Sequence, residues 1–168
     1  MLRYFYCAVL VLIVFSSCLK TKNQCPYIES NIVADTSESN NIQRYLSSNN
    51  ISGMLRHASG AFYKINNAGS GSTPWLCNNI TVNYSAYIMG YSTPFDNNTS
   101  ASGISFVLGN LIPGIQKLAP MVRSGGSITM YIPPALAYGS NETKDQNGNV
   151  VLPANSYLRF EMSLISVQ

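Results

Sequence analysis

The chain has 168 residues and a formal net charge of +3, and 46% of its residues are hydrophobic against 10% charged. This length allows one domain with a core of ordinary size, and the low charge argues against a highly charged disordered chain. Because the basic residues form no dense cluster, we expect no nucleic-acid partner. His57 is the only histidine, so we expect no zinc site, no histidine-based triad and no cofactor.

The chain begins with the features of an export signal. Arg3 precedes an uncharged apolar run over residues 4–15, which is too short to span a bilayer but typical of a signal-peptide core. Residues 14–18, Val-Phe-Ser-Ser-Cys, resemble the lipobox of bacterial lipoprotein signals. The resemblance implies that residues 1–17 are removed and that Cys18 carries a lipid. The alternative is an ordinary cleavage site and a secreted, soluble protein.

Two cysteines, Cys25 and Cys77, remain after the signal region. An even pair in an exported protein predicts a disulfide, which would tie the segment that follows the signal to the domain. The alternative is two unrelated thiols, because one sequence does not show that two cysteines meet.

A short helix is predicted after a tether. Asp35 and Glu38 resemble a capping box at the helix start, and the pair Asn49 and Asn50 marks its end. The apolar side of this helix consists of Ile42, Tyr45 and Leu46. With so few apolar residues, the helix is expected to dock on another surface rather than stand alone. The alternative is an arm for dimerisation.

From residue 60 onward the hydrophobic period changes from that of a helix to that of a strand. Alternating apolar and polar side chains predict strands over residues 61–65, 80–88, 104–108, 128–132 and 157–164. One brief helical stretch lies between Pro113 and Val122, where Pro120 limits its length. Residues 140–150 form a polar loop that is expected to be mobile. The pattern predicts an α+β fold in which an antiparallel sheet has one wet face and one face covered by a short helix.

Six short motifs stand in the order found in a known family. They are residues 82–85 (Val-Asn-Tyr-Ser), 94–96 (Pro-Phe-Asp), 106–109 (Phe-Val-Leu-Gly), 111–114 (Leu-Ile-Pro-Gly), 125–139 (from Gly-Gly to Ala-Tyr-Gly) and 152–160 (from Leu-Pro to Arg-Phe). Together they resemble the FKBP-type peptidyl-prolyl cis-trans isomerases. The resemblance covers residues 59–168 and implies a strongly twisted antiparallel sheet wrapped around one short helix. Residues 1–17 and 18–58 then look like the signal peptide, tether and small helix of exported lipoproteins from Bacteroidetes-type bacteria.

The resemblance also implies an activity and the residues that perform it. Rotation of the bond before proline must cross a barrier of about 18–20 kcal/mol, and an apolar pocket favours the twisted amide over the planar one. The catalytic residues implied are Tyr84, Phe95, Asp96, Ile112, Tyr138 and Phe160. The substrate pocket implied is completed by Ile104, Phe106, Leu111, Ile115, Val151 and Leu152.

Individual roles follow from the same resemblance. The Tyr138 hydroxyl and the Ile112 backbone N–H are expected to donate hydrogen bonds to the substrate. Asp96 is expected at an apolar rim, where it would accept a hydrogen bond from Tyr84 and orient the substrate carbonyl.

Phe106 and Phe160 are equally well explained as ordinary core residues, because aromatic side chains dominate cores.

Two positions depart from the family pattern. Ile115 takes the place of the usual tryptophan of the pocket floor, and Ile104 stands where an aromatic residue is common. A smaller floor residue opens the base of the site, so a wider and slower pocket is expected.

The leading hypothesis is an isomerase of reduced activity, lipid-anchored in the bacterial cell envelope, that helps envelope or exported proteins to fold. Its partners would be proline-containing unfolded polypeptides and, by resemblance, macrolide immunosuppressants. Two alternatives stay open. The protein could be a non-catalytic peptide-binding module, or an accessory lipoprotein of a surface or motility assembly whose pocket is vestigial.

Overall fold

The structure, a computed structural model, describes residues 25–168. The predicted signal peptide and the lipid attachment at Cys18 lie outside the described residues. The helices are α1 (Thr36–Ser48) and α2 (Pro113–Leu118). The strands are β1 (Leu55–Arg56), β2 (Phe62–Asn67), β3 (Asn79–Ile88), β4 (Asp96–Asn98), β5 (Ile104–Val107), β6 (Gly126–Ile132), β7 (Thr143–Lys144), β8 (Val150–Leu152) and β9 (Leu158–Val167). Neither helix in this range is long and apolar enough to cross a membrane.

One antiparallel sheet contains all the predicted strands. Its order is β1-β2-β6-β9-β3-β4, and β5 also pairs with β3. The long strands β3 and β9 pair from Ile80 opposite Val167 to Ile88 opposite Leu158. The prediction of an antiparallel sheet with a short helix is therefore confirmed. β1 adds residues 55–56 to the sheet, just before the predicted start of the domain at residue 59.

The core lies between the inner face of this sheet and α2. Alternate residues of the central strands point inward because side chains along a strand alternate between its faces. They include Ile80, Val82, Ala86, Ile128, Met130, Ile132, Leu158, Met162 and Leu164. From α2, Ile115 and Leu118 pack against them. The helix comes close to the sheet at Gly114, where an added Cβ would lie 2.5 Å from Ile132 Cγ2.

Helix α1 packs on the opposite face of the sheet. Ile42 and Leu46 are buried against Phe62 and Tyr131, which lie opposite each other on β2 and β6. The sequence predicted that this helix docks, and the docking surface is the chain's own sheet. Helix α1 covers one end of the outer face of the sheet, which the sequence pattern predicted to be exposed to solvent.

The bounds of α1 agree with the prediction, but its capping does not. The helix begins after Asp35 and ends before Asn49, and Asn50 has a left-handed φ of 54°. The capping box was wrong, because no side chain caps the helix start. The Glu38 carboxylate instead accepts a hydrogen bond from the Ala135 backbone N–H at 3.4 Å, which links α1 to a distant loop.

The segment before α1 is fastened to the domain at several points. We call residues 25–34 the strap. Cys25 and Cys77 form a disulfide with their Cα atoms 5.6 Å apart. At the other end of the strap, the Ala34 N–H donates to the Ser59 carbonyl at 2.9 Å.

The polar loop over residues 140–150 contains regular secondary structure. It includes the hairpin of β7 and β8. Asp145 organises the turn, since its Oδ1 accepts hydrogen bonds from the Asn147 and Asn149 N–H groups, both at 2.9 Å. The side chains of this hairpin are exposed up to Val151.

Candidate active site

A pocket of about 170 Å³ opens beside the core. It is lined by Val82, Tyr84, Phe95, Asp96, Phe106, Leu111, Ile112, Ile115, Tyr138, Phe160 and Met162. The residues come from β3, β4, β5, β9, α2 and the loops around them, so distant parts of the sequence meet there. All of the predicted site residues line this pocket except Ile104, Val151 and Leu152.

Strand β3 supplies one aromatic wall of the pocket. The two-residue period of the strand places Tyr84 on the inner face together with Val82. The Tyr84 ring lies 6.3 Å from Phe106 and 6.5 Å from Phe160, measured between ring centroids. These spacings are those of favourable aromatic pairs, so the Tyr84 ring packs against both phenylalanines and the wall is largely apolar.

A tyrosine and a carboxylate meet at the rim of the pocket. The pairing of β4 with β3 places Asp96 opposite Ala86, diagonally next to Tyr84, within reach of a long side chain. The Tyr84 hydroxyl donates to Asp96 Oδ2 at 2.7 Å. Burial raises the pKa of the Tyr84 phenol, and the hydrogen bond to Asp96 raises it further. The phenol therefore stays protonated and holds the carboxylate in place.

Tyr138 stands on a separate loop at the same pocket. Gly139 follows it with a left-handed φ of 57°, and its N–H donates to the Pro134 carbonyl at 2.9 Å. The Gly139 carbonyl accepts from the Asn155 N–H at 2.7 Å, so the loop is fixed on both sides. Burial raises the pKa of the Tyr138 phenol, with a further contribution from the Asp96 charge. Tyr138 is thus a protonated donor, and 40% of it is exposed.

The start of α2 forms the pocket floor. Ile112 immediately precedes the helix in an extended conformation, and Pro113 begins it, a position that proline favours. Ile115 follows in the first turn and is 6% exposed. Among residues 25–168, the Ile112 backbone N–H has no hydrogen-bond partner, so it is available to a carbonyl group in the pocket.

The comparisons with known proteins agree with this geometry. The family model described as FKBP-type peptidyl-prolyl cis-trans isomerase matches residues 72–165. The chain belongs to this family. It is 32% identical to the FKBP-type isomerase FkpA of Escherichia coli (strain K12) over 117 residues, which are 69% of this chain and 41% of that protein. It is 33% identical to the isomerase Mip of Coxiella burnetii over 117 residues, or 69% of this chain and 48% of that protein.

Solved structures show the same fold. The crystal structure of FkpA from Escherichia coli matches with a TM-score of 0.65 and 29% identity, over 79% of this chain and 60% of that chain. A peptidyl-prolyl isomerase from Pseudomonas syringae matches with a TM-score of 0.64 and 23% identity, over 80% of this chain and 97% of that one. The protein spans less than half the length of the FkpA and Mip sequences that it matches.

Three residues implied by the FKBP resemblance do not line the pocket. Ile104 lies on β5 opposite Val82 and packs at the margin of the core. Val151 and Leu152 are neighbours on β8, so their side chains point to opposite sides of the strand. Leu152 is 1% exposed and belongs to the core, whereas Val151 is 38% exposed and faces solvent.

Two residues of this FKBP-type pocket were missed from the sequence. Val82 lies two positions before Tyr84, so the strand period alone could have placed it on the same face. Met162 lies directly opposite Tyr84 in the pairing of β3 with β9. That register depends on contacts between strands far apart in the sequence, so the pattern within either strand does not predict it.

Proposed function

We propose that the protein is a peptidyl-prolyl cis-trans isomerase that acts on proline-containing, unfolded polypeptides. The observation that carries this proposal is the pocket itself. It combines an apolar wall with a fixed carboxylate at its rim and two hydrogen-bond donors that are free to meet a substrate. Membership of the family supports the same activity.

The proposed mechanism needs no bond between protein and substrate. A planar amide is polarised by resonance, whereas a twisted amide is not, so moving the proline into an apolar pocket favours the twisted form. The Tyr138 hydroxyl and the Ile112 N–H would donate to carbonyl groups of the substrate and hold the twisted geometry. Asp96, oriented by Tyr84, would face the carbonyl of the bond that rotates. Interactions that are stronger with the twisted amide than with the planar one lower the barrier.

An isomerisation assay on a proline-containing peptide tests this proposal. We expect the purified protein to accelerate the cis-to-trans change and a macrolide immunosuppressant to inhibit it by occupying the pocket.

Combining Asp96→Leu with Tyr138→Phe should lower kcat/KM by at least tenfold, because one charge and one donor are lost. Tyr91→Phe serves as the control, since Tyr91 is exposed and lies outside the pocket. A folded wild-type protein without activity would contradict the proposal.

A second candidate function has one specific observation in its favour. The Ile115 side chain at the pocket floor is smaller than the tryptophan usual in the family. Poorer enclosure of the prolyl amide reduces stabilisation of its twisted form more than it reduces binding of the peptide. The protein would then hold proline-containing peptides without turning them over. Peptide binding in a calorimeter, together with the absence of isomerisation, would distinguish this function from the first.

We also propose a location and a division of the chain. Residues 1–17 would be a lipoprotein signal, residues 18–58 a tether with α1, and residues 59–168 the isomerase domain. Cys18 would carry the lipid and anchor the protein to a membrane of the bacterial cell envelope, as in Bacteroidetes-type lipoproteins, where it would help exported proteins to fold. The disulfide supports an oxidising compartment.

The anchor is tested by fractionation of cells. Cys18→Ser should move the protein from the membrane pellet to a soluble or uncleaved form. Cys7→Ser, in the part of the signal that would be removed, is the control and should leave the protein in the pellet. Unchanged fractionation of Cys18→Ser, with no lipid mass on the mature N-terminus, would reject the lipoprotein assignment.

A further inference from the structure

We propose that the strap is a positioning element of the active site. In this proposal it supports residues 109–112 from behind and so sets the place of the Ile112 N–H. The proposal rests on the proposed isomerase function, because it assigns the strap a part in that reaction. It gives a catalytic consequence to a segment that lies before the region matched by the family model.

The first contact is between Tyr27 and Gly109. A Cβ atom added at Gly109 would lie 2.3 Å from Cγ and 2.4 Å from Cδ1 of the Tyr27 ring. The ring therefore packs directly on the Gly109 backbone, where no larger residue fits. Gly109 is three residues before Ile112, so the ring touches the loop that presents the donor.

The second contact fixes the same loop from the helix side. The Gln116 side-chain amide donates to the Gly109 carbonyl at 3.0 Å and to the Leu111 carbonyl at 2.6 Å. Tyr27 and Gln116 therefore hold the short stretch between Gly109 and Leu111 from two directions. The position of the next backbone N–H, that of Ile112, depends on this stretch.

The third contact ties the strap to α2. The Lys117 side chain is 8% exposed, and its ammonium group lies 3.5 Å from Glu29 Oε1. It also donates to the Ser30 carbonyl. Because an ammonium group taken out of water needs partners, these contacts hold the strap against the helix that carries Ile115.

The disulfide provides a second connection between the strap and the loop over residues 109–112. Cys77 lies next to Leu76, whose carbonyl accepts a hydrogen bond from the Gly109 N–H at 2.7 Å. The strap therefore reaches Gly109 both through the Tyr27 ring and through the covalent bond at Cys25. A loop held at so many points has little freedom to shift, and a displacement of about 1 Å in a catalytic group costs up to a hundredfold in rate.

Tyr27→Ala tests the proposal with the rest of the chain unchanged. We expect kcat/KM for a proline peptide to fall about tenfold, mostly in kcat, and amide hydrogen exchange over residues 109–112 to become faster. Tyr27→Phe should restore both values, because the ring makes the contact. Ile28→Ala is the matched control from the same strap, since Ile28 is 91% exposed, and it should change neither value.

A second experiment distinguishes an effect of the contact between Tyr27 and Gly109 from an effect on the stability of the whole fold. Gly109→Ala should lower kcat/KM in the wild-type background, because the new methyl group collides with the Tyr27 ring. In the Tyr27→Gly background that collision is gone, so the same substitution should cost much less. Such a difference in a double-mutant cycle reports coupling between the two residues. Equal losses in the two backgrounds would overturn the proposal.

The remaining outcomes are also decisive. Unchanged kcat/KM and unchanged exchange over residues 109–112 in a folded Tyr27→Ala protein would overturn the role of the strap. If the wild-type protein has no isomerase activity, the proposed function fails instead. The exchange measurement then still decides whether the strap holds the loop, because it needs no turnover.

Discussion

At the scale of single residues, the floor and the rim of the pocket are built differently. Ile115 is almost fully buried and lines the pocket directly. In the proposed reaction, its branched side chain would enclose the ring of a substrate proline less completely than an indole would. The rim, in contrast, is organised by the hydrogen bond between Tyr84 and Asp96.

We predict that Ile115→Trp raises kcat/KM by about tenfold, which corresponds to about 1.4 kcal/mol of transition-state stabilisation. The physical reason is tighter apolar enclosure of the twisted amide. The measurement is the peptide isomerisation assay, with circular dichroism to exclude a fold damaged by overpacking. Ile165→Trp is the control, since Ile165 is 39% exposed and outside the pocket. A folded Ile115→Trp protein with no gain would show that the floor does not limit the rate.

A prediction about pH follows from Tyr84. Its folded-state pKa is raised above the ordinary value of 10.0, by burial first and by Asp96 second. The stability that comes from the protonated phenol is therefore fully present below pH 10 and is lost as the pH rises through the folded pKa. The free energy of unfolding in urea should fall above about pH 10, and less steeply in Tyr84→Phe. Equal slopes for the wild-type and Tyr84→Phe proteins would contradict this prediction.

At the scale of elements, α1 shows what local sequence decides. Its apolar spacing predicts a helix between Asp35 and Asn49, and that helix is present. The surface on which it docks is formed by Phe62 and Tyr131. Those residues lie far from α1 in the sequence, so helical periodicity alone does not identify them.

The contact of α1 with the sheet is tested by Ile42→Ala. Ile42 is fully buried, and truncating a buried isoleucine leaves a cavity that costs about 2–5 kcal/mol. We expect a loss of this size in the free energy of unfolding, measured with urea. Gln43→Ala, on the exposed side of the same helix, should change it by less than about 0.5 kcal/mol. Equal small effects of both changes would mean that α1 is not docked in solution.

Among the strands, hydrophobic periodicity predicts the long ones but not the short ones. The long strands β3, β6 and β9 were predicted because their alternation extends over many residues. The strands β1, β4, β7 and β8 are two or three residues long and give no period to detect. β4 is nevertheless the strand that carries Asp96, so the family motif identified a site residue whose strand the periodicity missed.

At the scale of the whole molecule, the disulfide closes a long loop. Cys25 and Cys77 are separated by 52 positions, and on the loop-entropy argument such a bond contributes about 3–4 kcal/mol. We predict that the double variant Cys25→Ser, Cys77→Ser loses about this much free energy of unfolding. Denaturant titration without a reducing agent measures it. A loss below about 1 kcal/mol, or two free thiols in freshly isolated protein, would contradict the prediction.

Under the proposed anchoring at Cys18, the same bond would limit how far the pocket can lie from a membrane. With the proposed lipid on Cys18, six residues lie between the anchor and Cys25, and the seven steps from one Cα atom to the next span at most about 25 Å. Without the disulfide, the strap would be held by the contacts of Tyr27 and Ser30. Release of those contacts as well, up to the backbone hydrogen bond at Ala34, would extend the reach to about 55 Å. An oxidised protein would therefore serve chains within about one domain diameter of the bilayer, whereas a reduced protein whose strap has also detached would sample a layer about twice as deep.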